Sequence, residues 1–483
     1  MTEMIPGDHP VNEVTGLEEG TLSGRKALGL AVVVFSPVLT AATVGAFVMS
    51  VSGSSAWLSV LVGAVIMACV SVTIAPFASR FVVSGALYSY IGHALGPFPK
   101  LVSGASLAVG YVVGMMAALG ALALYTGSLL STTFGISGAN ELPGQIAIFA
   151  VALLGAAVLA YRGLDTSARL SIGLMAITAP VVALILLANL FSGDFDLTSQ
   201  FSFDDFTFTG FTMGVVLTAT FLVGIEASAA TAAETADPKR TVPRVIIAVP
   251  LIVGGIGLVA TVLSVPALAT DEVQSALTAG ESPIAALADH AGLSFLGGIA
   301  DLALVLTCLA VLIGFMNYAP RVLATMATDG LLPSTLGKVS PRTHTPVTAI
   351  VAIAVLTFLF PTILAAVTGG STLQIYTAVA TLFPYMWVLP YILIAVGGTI
   401  FLARTKELTI GVMLSAAVGA AGFTWVYVNA IVHPQPGVAN YMTWAAPISL
   451  VVVLAGMIVF RWSRTVRKGS GSAHRGVRVE RAS

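Results

Sequence analysis

The chain has 483 residues, 57% of them hydrophobic and only 9% charged, with a mean hydropathy of +0.98 and a formal net charge of −1. Soluble domains carry about 25% charged residues, so this composition excludes a string of soluble domains and makes lipid the main solvent. The net charge is uninformative as a sum but its distribution is not, and no nucleic-acid partner is expected.

In chain order, residues 1–24 come first as a polar, acidic segment with Glu3, Asp8, Glu13, Glu18 and Glu19. No basic stretch leads into an apolar one, so no signal peptide is expected and the first spanning helix serves as its own targeting signal. Residues 25–462 form the transmembrane region. Apolar runs of 18 or more residues predict about twelve spanning helices, near 27–51, 56–78, 101–128, 144–161, 170–192, 210–233, 245–268, 297–322, 346–367, 374–402, 409–432 and 442–461. Backbone groups in hydrocarbon must bond within their own segment, so these runs must be helical. Residues 463–483 read as a basic, irregular tail near anionic lipid.

Charge sorts cleanly by side. All 21 Lys and Arg fall on one face or at its helix ends, among them Arg25, Lys26, Arg80, Lys100, Arg321 and Arg404. The other face carries Glu141, Asp194, Asp196, Asp204, Asp205, Asp271, Glu272, Glu281 and Asp289. The positive-inside rule then places both termini in the cytoplasm of a cell that holds the chain as a multi-pass protein of its cell membrane.

Several soluble chemistries drop out. Cys69 and Cys308 lie inside spans, which makes a structural disulfide improbable. The six histidines lie in loops or at helix ends without metal-ligand spacing, so no metal or cofactor is expected. The glycines at Gly254–Gly257 sit inside a span with no preceding strand, as close helix packing requires. An enzyme would need clustered His or acidic residues within the spans, and a channel a continuous polar lining; neither pattern is present.

Two acids remain within spans, Glu226 and Asp301. Asp301 reads as a solvated helix start. Glu226 is much the deeper, and an ionisable group at that depth costs about 2.5–3.5 kcal/mol on insertion scales, which makes it a functional candidate by default. Its span has Gly224, Glu226, Ser228 and Thr231 after an apolar half. The first span is interrupted by Pro37, with Ser36, Thr40 and Thr43 around it. Both spans are therefore expected to break near mid-membrane. They open two five-helix sets, helices 1–5 at about 27–192 and 6–10 at about 210–402, followed by helices 11–12 at about 409–461. Breaks at matching places in two halves point to a transporter site between inverted repeats.

Three stretches carry a family resemblance. FLVGIEASAATAAETADPKRTVPR around the sixth span, RFVVSGALYSYIGHALGP after the second, and NYAPRVLATMATDGLLPSTLGKVSPRTHTP after the eighth together resemble the amino acid–polyamine–organocation (APC) transporters, over roughly residues 20–460. The resemblance implies an all-α integral membrane fold of about 12 transmembrane helices, a leucine-transporter-like 5+5 inverted repeat plus two C-terminal helices. It also implies secondary active transport of an amino acid, or alternatively of a polyamine or other organic amine. Carried onto this chain, the substrate site comprises Ser36, Pro37, Val38, Leu39, Thr40, Ala41, Ala42 and Thr43 in the first break, and Phe221, Gly224, Ile225, Glu226, Ala227 and Ser228 in the second. Amides of the first stretch would hold a carboxylate, and carbonyls of both an amine. The family's glycine-rich motif in the first helix is replaced here by SPVLTAAT. Thr178 stands where many members carry a lysine, and Thr307 and Cys308 where sodium-coupled relatives place hydroxyl ligands. The bland reading of Thr307 is a hydroxyl bonded to the carbonyl one turn back in its own helix. Glu226, Thr178, Thr307 and Cys308 are thus the coupling-ion candidates, and proton symport, sodium symport and exchange all stay open. A single intramembrane glutamate favours a zwitterion over a polycation.

Overall fold

The computed structural model describes residue 17 and residues 19–192, 195–196, 198–203, 205–278, 281–433 and 438–479. Residues 1–16 and 18 of the expected N-terminal tail, Asp194, Asp204 and the last four residues lie outside the described residues. Regular structure among those described is helical apart from one isolated pairing of Leu22 with Thr235.

The helices in chain order are α1 (Gly24–Phe35), α2 (Pro37–Ser52), α3 (Ala56–Ala78), α4 (Ala86–Leu95), α5 (Pro97–Thr132) and α6 (Leu142–Tyr161). Next come α7 (Leu164–Ala188), α8 (Thr198–Ser202), α9 (Phe208–Thr220), a 3-10 segment at Ile225–Glu234, α10 (Pro238–Leu268), α11 (Asp271–Thr278) and α12 (Pro283–His290). The chain ends in α13 (Gly297–Thr328), α14 (Val347–Thr368), α15 (Thr372–Arg404), α16 (Ile410–Val432) and α17 (Val438–Val479).

Eleven segments among the described residues are long and apolar enough to cross a membrane, and together they overlap all twelve predicted runs. The first, Gly24–Ala78, is 55 residues long and contains two of those runs. At 1.5 Å per residue it is far longer than a hydrocarbon core of roughly 30 Å, and it is interrupted at Ser36 and at a 3-10 turn, Gly53–Ser55. The chain is an all-helical, multi-pass membrane protein.

The loop after α3 holds α4, and the acidic loop after α10 holds α11 and α12, helices of eight to ten residues that are too short to cross a bilayer. Two local expectations change. The tail predicted to be irregular continues α17 to Val479, because lengthening an existing helix avoids the nucleation barrier. Asp301 is not solvated. It is 4% exposed and accepts hydrogen bonds from Ser282 Oγ (2.6 Å) and Ser128 Oγ (3.1 Å), since α12 folds over the start of α13.

α5 and α13 run through the centre, with α15 packed against α5. Two glycines set that contact. A β-carbon at Gly110 would stand 2.6 Å from the Trp387 ring, and one at Gly114 2.5 Å from the Phe383 ring, so only glycine lets α15 lie this close. Small residues draw spanning helices together in this way because lipid supplies no hydrophobic drive for helix association.

The basic face is tied shut. Leu22 donates its N–H to the Glu234 carbonyl (2.9 Å) and accepts from Ala236 N–H (2.9 Å), which straps the entry to α1 across the end of the 3-10 segment. Glu234 and Arg321, both buried, form a forked ion pair, with Arg321 Nη2 2.7 Å from Glu234 Oε1. Lys100 pairs with Asp329 at 2.8 Å, and Asp165 takes both Lys26 and Arg169. On the acidic face Asp205 accepts from Ser54 N (2.9 Å) and Ser54 Oγ (2.5 Å), which holds its carboxyl below the usual carboxylate range.

Candidate functional site

The first break arises from Pro37. Proline has no N–H to donate and pushes the preceding residue out of the α region. Ser36 takes a left-handed conformation (φ 39°), an arrangement that costs a non-glycine residue about 1–3 kcal/mol and clusters at functional sites. Its side chain repays part of this by accepting from Leu39 N–H at 3.1 Å, which caps α2. The C-terminal end of α1 and the N-terminal end of α2 thus meet at one point, presenting carbonyl and amide character side by side.

The second break falls between α9 and the 3-10 segment. Gly224 has φ +92°, a backbone state that glycine adopts without strain. Its N–H, released from helical bonding, donates to Tyr391 Oη at 2.7 Å. Tyr391 in turn donates to Glu226 Oε2 at 2.9 Å, and Trp387 Nε1–H donates to Glu226 Oε1 at 2.7 Å. Glu226 is 0% exposed.

Indole N–H only donates and a carboxylate only accepts, so with Glu226 ionised the Tyr391 hydroxyl gives it its hydrogen while the phenol oxygen accepts from Gly224. Both carboxylate oxygens therefore accept, an arrangement suited to the ionised form. A protonated Glu226 would have to give its hydrogen to the Tyr391 oxygen and turn the tyrosine's own hydrogen away, which weakens the pairing that joins α15 to the broken helix.

An internal cavity lies where the breaks meet. Ser36, Leu39, Thr40 and Phe221 line it from the broken helices, Gly114, Ala118 and Ala121 from α5, Phe315 from α13, and Tyr376 and Phe383 from α15. Among the described residues that line it there is no acidic or basic side chain. It adjoins an outer pocket that shares Thr220, Phe221, Tyr376 and Ala380 and reaches Phe47, Thr377 and His433 near the acidic-face ends of α2, α15 and α16. The access side is thus the acidic face, opposite the tied basic face.

The residues expected at the site separate into groups. Ser36, Leu39, Thr40 and Phe221 reach the cavity. Pro37, Val38 and Ala41 instead line an apolar groove between α2, α7 and α10, and Ala42 and Thr43 are buried away from both. Gly224, Ile225, Glu226, Ala227 and Ser228 are buried behind the cavity wall rather than in it. Thr178 and Thr307 come together across α7 and α13. Thr307 Oγ1 donates to Thr178 Oγ1 at 2.9 Å, and Thr178 passes its hydrogen to Met175 O at 3.1 Å. Thr307 therefore bonds across to α7 rather than to its own helix one turn back, because the two spans pack closely there. Cys308 is fully buried.

Sequence reasoning missed Trp387 and Tyr391, which hold Glu226, and the Glu234–Arg321 pair. Arg321 had been placed at a helix end but lies within α13, seven residues before Thr328. The only available signal was the run of aromatic residues in α15, Tyr376, Phe383, Tyr385, Trp387 and Tyr391. Three hydroxyls near the site, Tyr111, Tyr90 and Ser89, are buried without a hydrogen-bond partner among the described residues. Each such group costs about 1–3 kcal/mol.

Two interrupted helices lining one cavity are the arrangement in which many membrane transporters build a small-molecule site. The chain belongs to the amino acid permease family, whose profile matches residues 26–458. It is 27% identical over 317 residues to a branched-chain amino acid permease of Bacillus subtilis, covering 62% of this chain and 65% of that one. An uncharacterized transporter of Mycobacterium tuberculosis is 28% identical over 296 residues, covering 61% and 63%. A human protein named cationic amino acid transporter 4 is 26% identical over 374 residues, covering 72% and 55%. The matches thus span just under two thirds of the first two relatives and about half of the third.

Proposed function

We propose that this chain is a secondary active transporter that carries a zwitterionic amino acid with an apolar side chain across the cytoplasmic membrane by alternating access, coupled to protons through Glu226. One observation carries the substrate class: the cavity at the two breaks has helix ends for a carboxylate and an amine but an uncharged, largely apolar lining. A cationic side chain or a polyamine would need an acid facing it. This favours the substrate in the Bacillus relative's name over that in the human relative's, and disfavours the amine alternative. The basic face is assigned to the cytoplasm by the positive-inside rule, so the cavity opens outward.

Coupling is assigned from hydrogen-bond direction. Ionised Glu226 locks α15 to the broken sixth helix with two donated hydrogen bonds, and protonation, which removes the charge and turns the Tyr391 hydrogen away, weakens that lock. Thr307 gives its hydrogen to Thr178 and Thr178 to Met175, and the next position offers the thiol of Cys308 rather than a hydroxyl, a poorer oxygen set that favours a sodium-independent cycle. Uptake should therefore be equal in sodium and choline buffers, and Thr307→Ala should leave ion dependence unchanged while lowering thermal stability by about 1 kcal/mol. Uptake that requires sodium would overturn this assignment. The substrate test is uptake into proteoliposomes of labelled leucine, isoleucine, valine, arginine and putrescine under imposed proton or sodium gradients. Branched-chain uptake driven by an inward proton gradient is expected. A preference for arginine or putrescine would sink the reading.

A further inference from the structure

We propose that one acyl chain of a phospholipid in the acidic-face leaflet seats in the apolar groove between α2, α7 and α10 and braces the first break from behind. The groove is separate from the substrate cavity, and its occupation depends neither on the substrate nor on the coupling proposed above.

The groove comes from uneven packing around α2. On its α10 side the two helices meet closely. A β-carbon at Gly45 would stand 2.2 Å from Ser264 Oγ, and one at Gly257 3.0 Å from the Thr40 methyl group. Contact with α7 is much sparser. The side chains facing this gap include Ala183 of α7 and Gly255 of α10, which are too small to fill it, and a β-carbon at Gly255 would meet nothing within 4 Å. What remains is a groove of about 450 Å³, and the described residues that line it are all apolar.

Position names the occupant. α10 runs from the basic face to the acidic face, so Gly255 and Leu263 lie about 20 and about 8 Å below its acidic-face end. The groove thus follows the acidic-face leaflet down to the break at Pro37, which a lipid tail reaches because each leaflet contributes about half of the roughly 30 Å of hydrocarbon. Its rim is open to lipid, with Leu187 51% and Val259 59% exposed. Its floor is shielded, with Val38 4% and Ala41 8% exposed.

Water has no polar partner in such a groove and would not stay. Left empty, the groove would cost its lining atoms their dispersion contacts on one side. A tail from the surrounding hydrocarbon restores them. A volume of this size drawn out over about 12 Å of depth is narrower than a helix, whose diameter is about 10–12 Å, so a flexible chain fits where a second copy of the protein does not.

The seat lies back to back with the substrate cavity. Leu39 and Thr40 line the cavity, whereas Pro37, Val38 and Ala41 line the groove, so substrate and tail bear on opposite sides of one turn of α2. The break deprives that turn of a continuous helix beneath it, and the tail supports the flank that protein leaves open.

The test uses the full chain in vesicles of phosphatidylcholine and phosphatidylglycerol, with some phosphatidylcholine carrying a diazirine near the end of one acyl chain. After illumination, lipid adducts are mapped by mass spectrometry. Adducts are expected on Val38 or Ala41, because residues 37–45 are buried except for Leu39, which faces the cavity, and lipid reaches them only through the groove. Gly255→Phe puts a ring into the groove and should abolish those adducts while adducts on exposed Leu184 persist. Leu251→Phe places the same ring on the lipid-facing side one turn away and should change neither. The absence of adducts between residues 37 and 45 in the unmutated protein, as when a second copy covers the groove, would overturn the proposal. The brace is read by exchange of labelled for unlabelled leucine, or the best-transported member of the panel. A tail yields as α2 shifts, but a ring fixed to α10 does not. Gly255→Phe should therefore lose most of its exchange while remaining monodisperse, and Leu251→Phe should keep it. Exchange at the unmutated rate in Gly255→Phe would refute the brace. If the unmutated protein exchanges nothing in the panel, the proposed function falls, and the adducts still decide the seat.

Discussion

Arg321→Ala is expected to be the most damaging single substitution, lowering stability by about 3–5 kcal/mol, because it leaves a buried glutamate without its cation. Arg321 forks onto Glu234 and also donates through Nη1 to the Asn317 carbonyl at 2.6 Å, with both side chains of the pair 2% exposed. An apolar replacement removes the charge but not the demand of the partner. Glu234→Ala should do similar harm for the mirror reason. Replacing both by leucine should recover much of the loss, since the non-additive term belongs to the pair. Arg321→Lys should recover less, because an ammonium offers no planar fork for the two carboxylate oxygens. Heating detergent-solubilised variants and measuring the monodisperse fraction by size exclusion would test the series. A double variant no better than Arg321→Ala would show that the site needs these side chains for more than mutual neutralisation.

Glu226 gives the second large effect. Glu226→Ala would orphan two buried donors, the Trp387 indole N–H and the Tyr391 hydroxyl, at about 1–3 kcal/mol each. Glu226→Gln is milder. Its oxygen can accept from Trp387 while its amide donates to Tyr391, provided the tyrosine hydrogen turns away. The glutamine variant is expected to fold and to bind substrate, but it has no proton to gain or lose. Transport by the unmutated protein should rise as pH falls and the lock on α15 loosens, whereas the Gln variant should show a flat profile. An unchanged pH profile and affinity in Glu226→Gln would reduce the carboxylate to a structural hydrogen-bonding group.

Much of the fold was legible because lipid imposes a simple rule on length and composition. Both breaks were legible too, since Pro37 and Gly224 act through backbone chemistry that no neighbour changes. What the sequence hid was contact across helices. Nothing local says that Trp387 and Tyr391 meet Glu226 161 and 165 residues away. Nor does anything local say that Arg321, one basic residue among 21, is buried against Glu234. Asp301 was misread for the same reason, as its partners Ser282 and Ser128 belong to other elements. The stretch Ser36–Thr43 was read as one lining, but a helix turns successive residues to different sides, so Leu39 and Thr40 reach the cavity while Pro37, Val38 and Ala41 face elsewhere.

The notches at Gly110 and Gly114 bear on how such a molecule moves. Two aromatic rings seated one helical turn apart act as keys: sliding α15 by one residue, or rolling it, would drive Trp387 or Phe383 into the α5 backbone. In the proposed transport cycle α5 and α15 are then the rigid frame, and the exchange of open faces falls to the parts that lean on it, α1, α2, α9 and the 3-10 segment. Two missing methyl groups would thereby divide the protein into what stays still and what rocks.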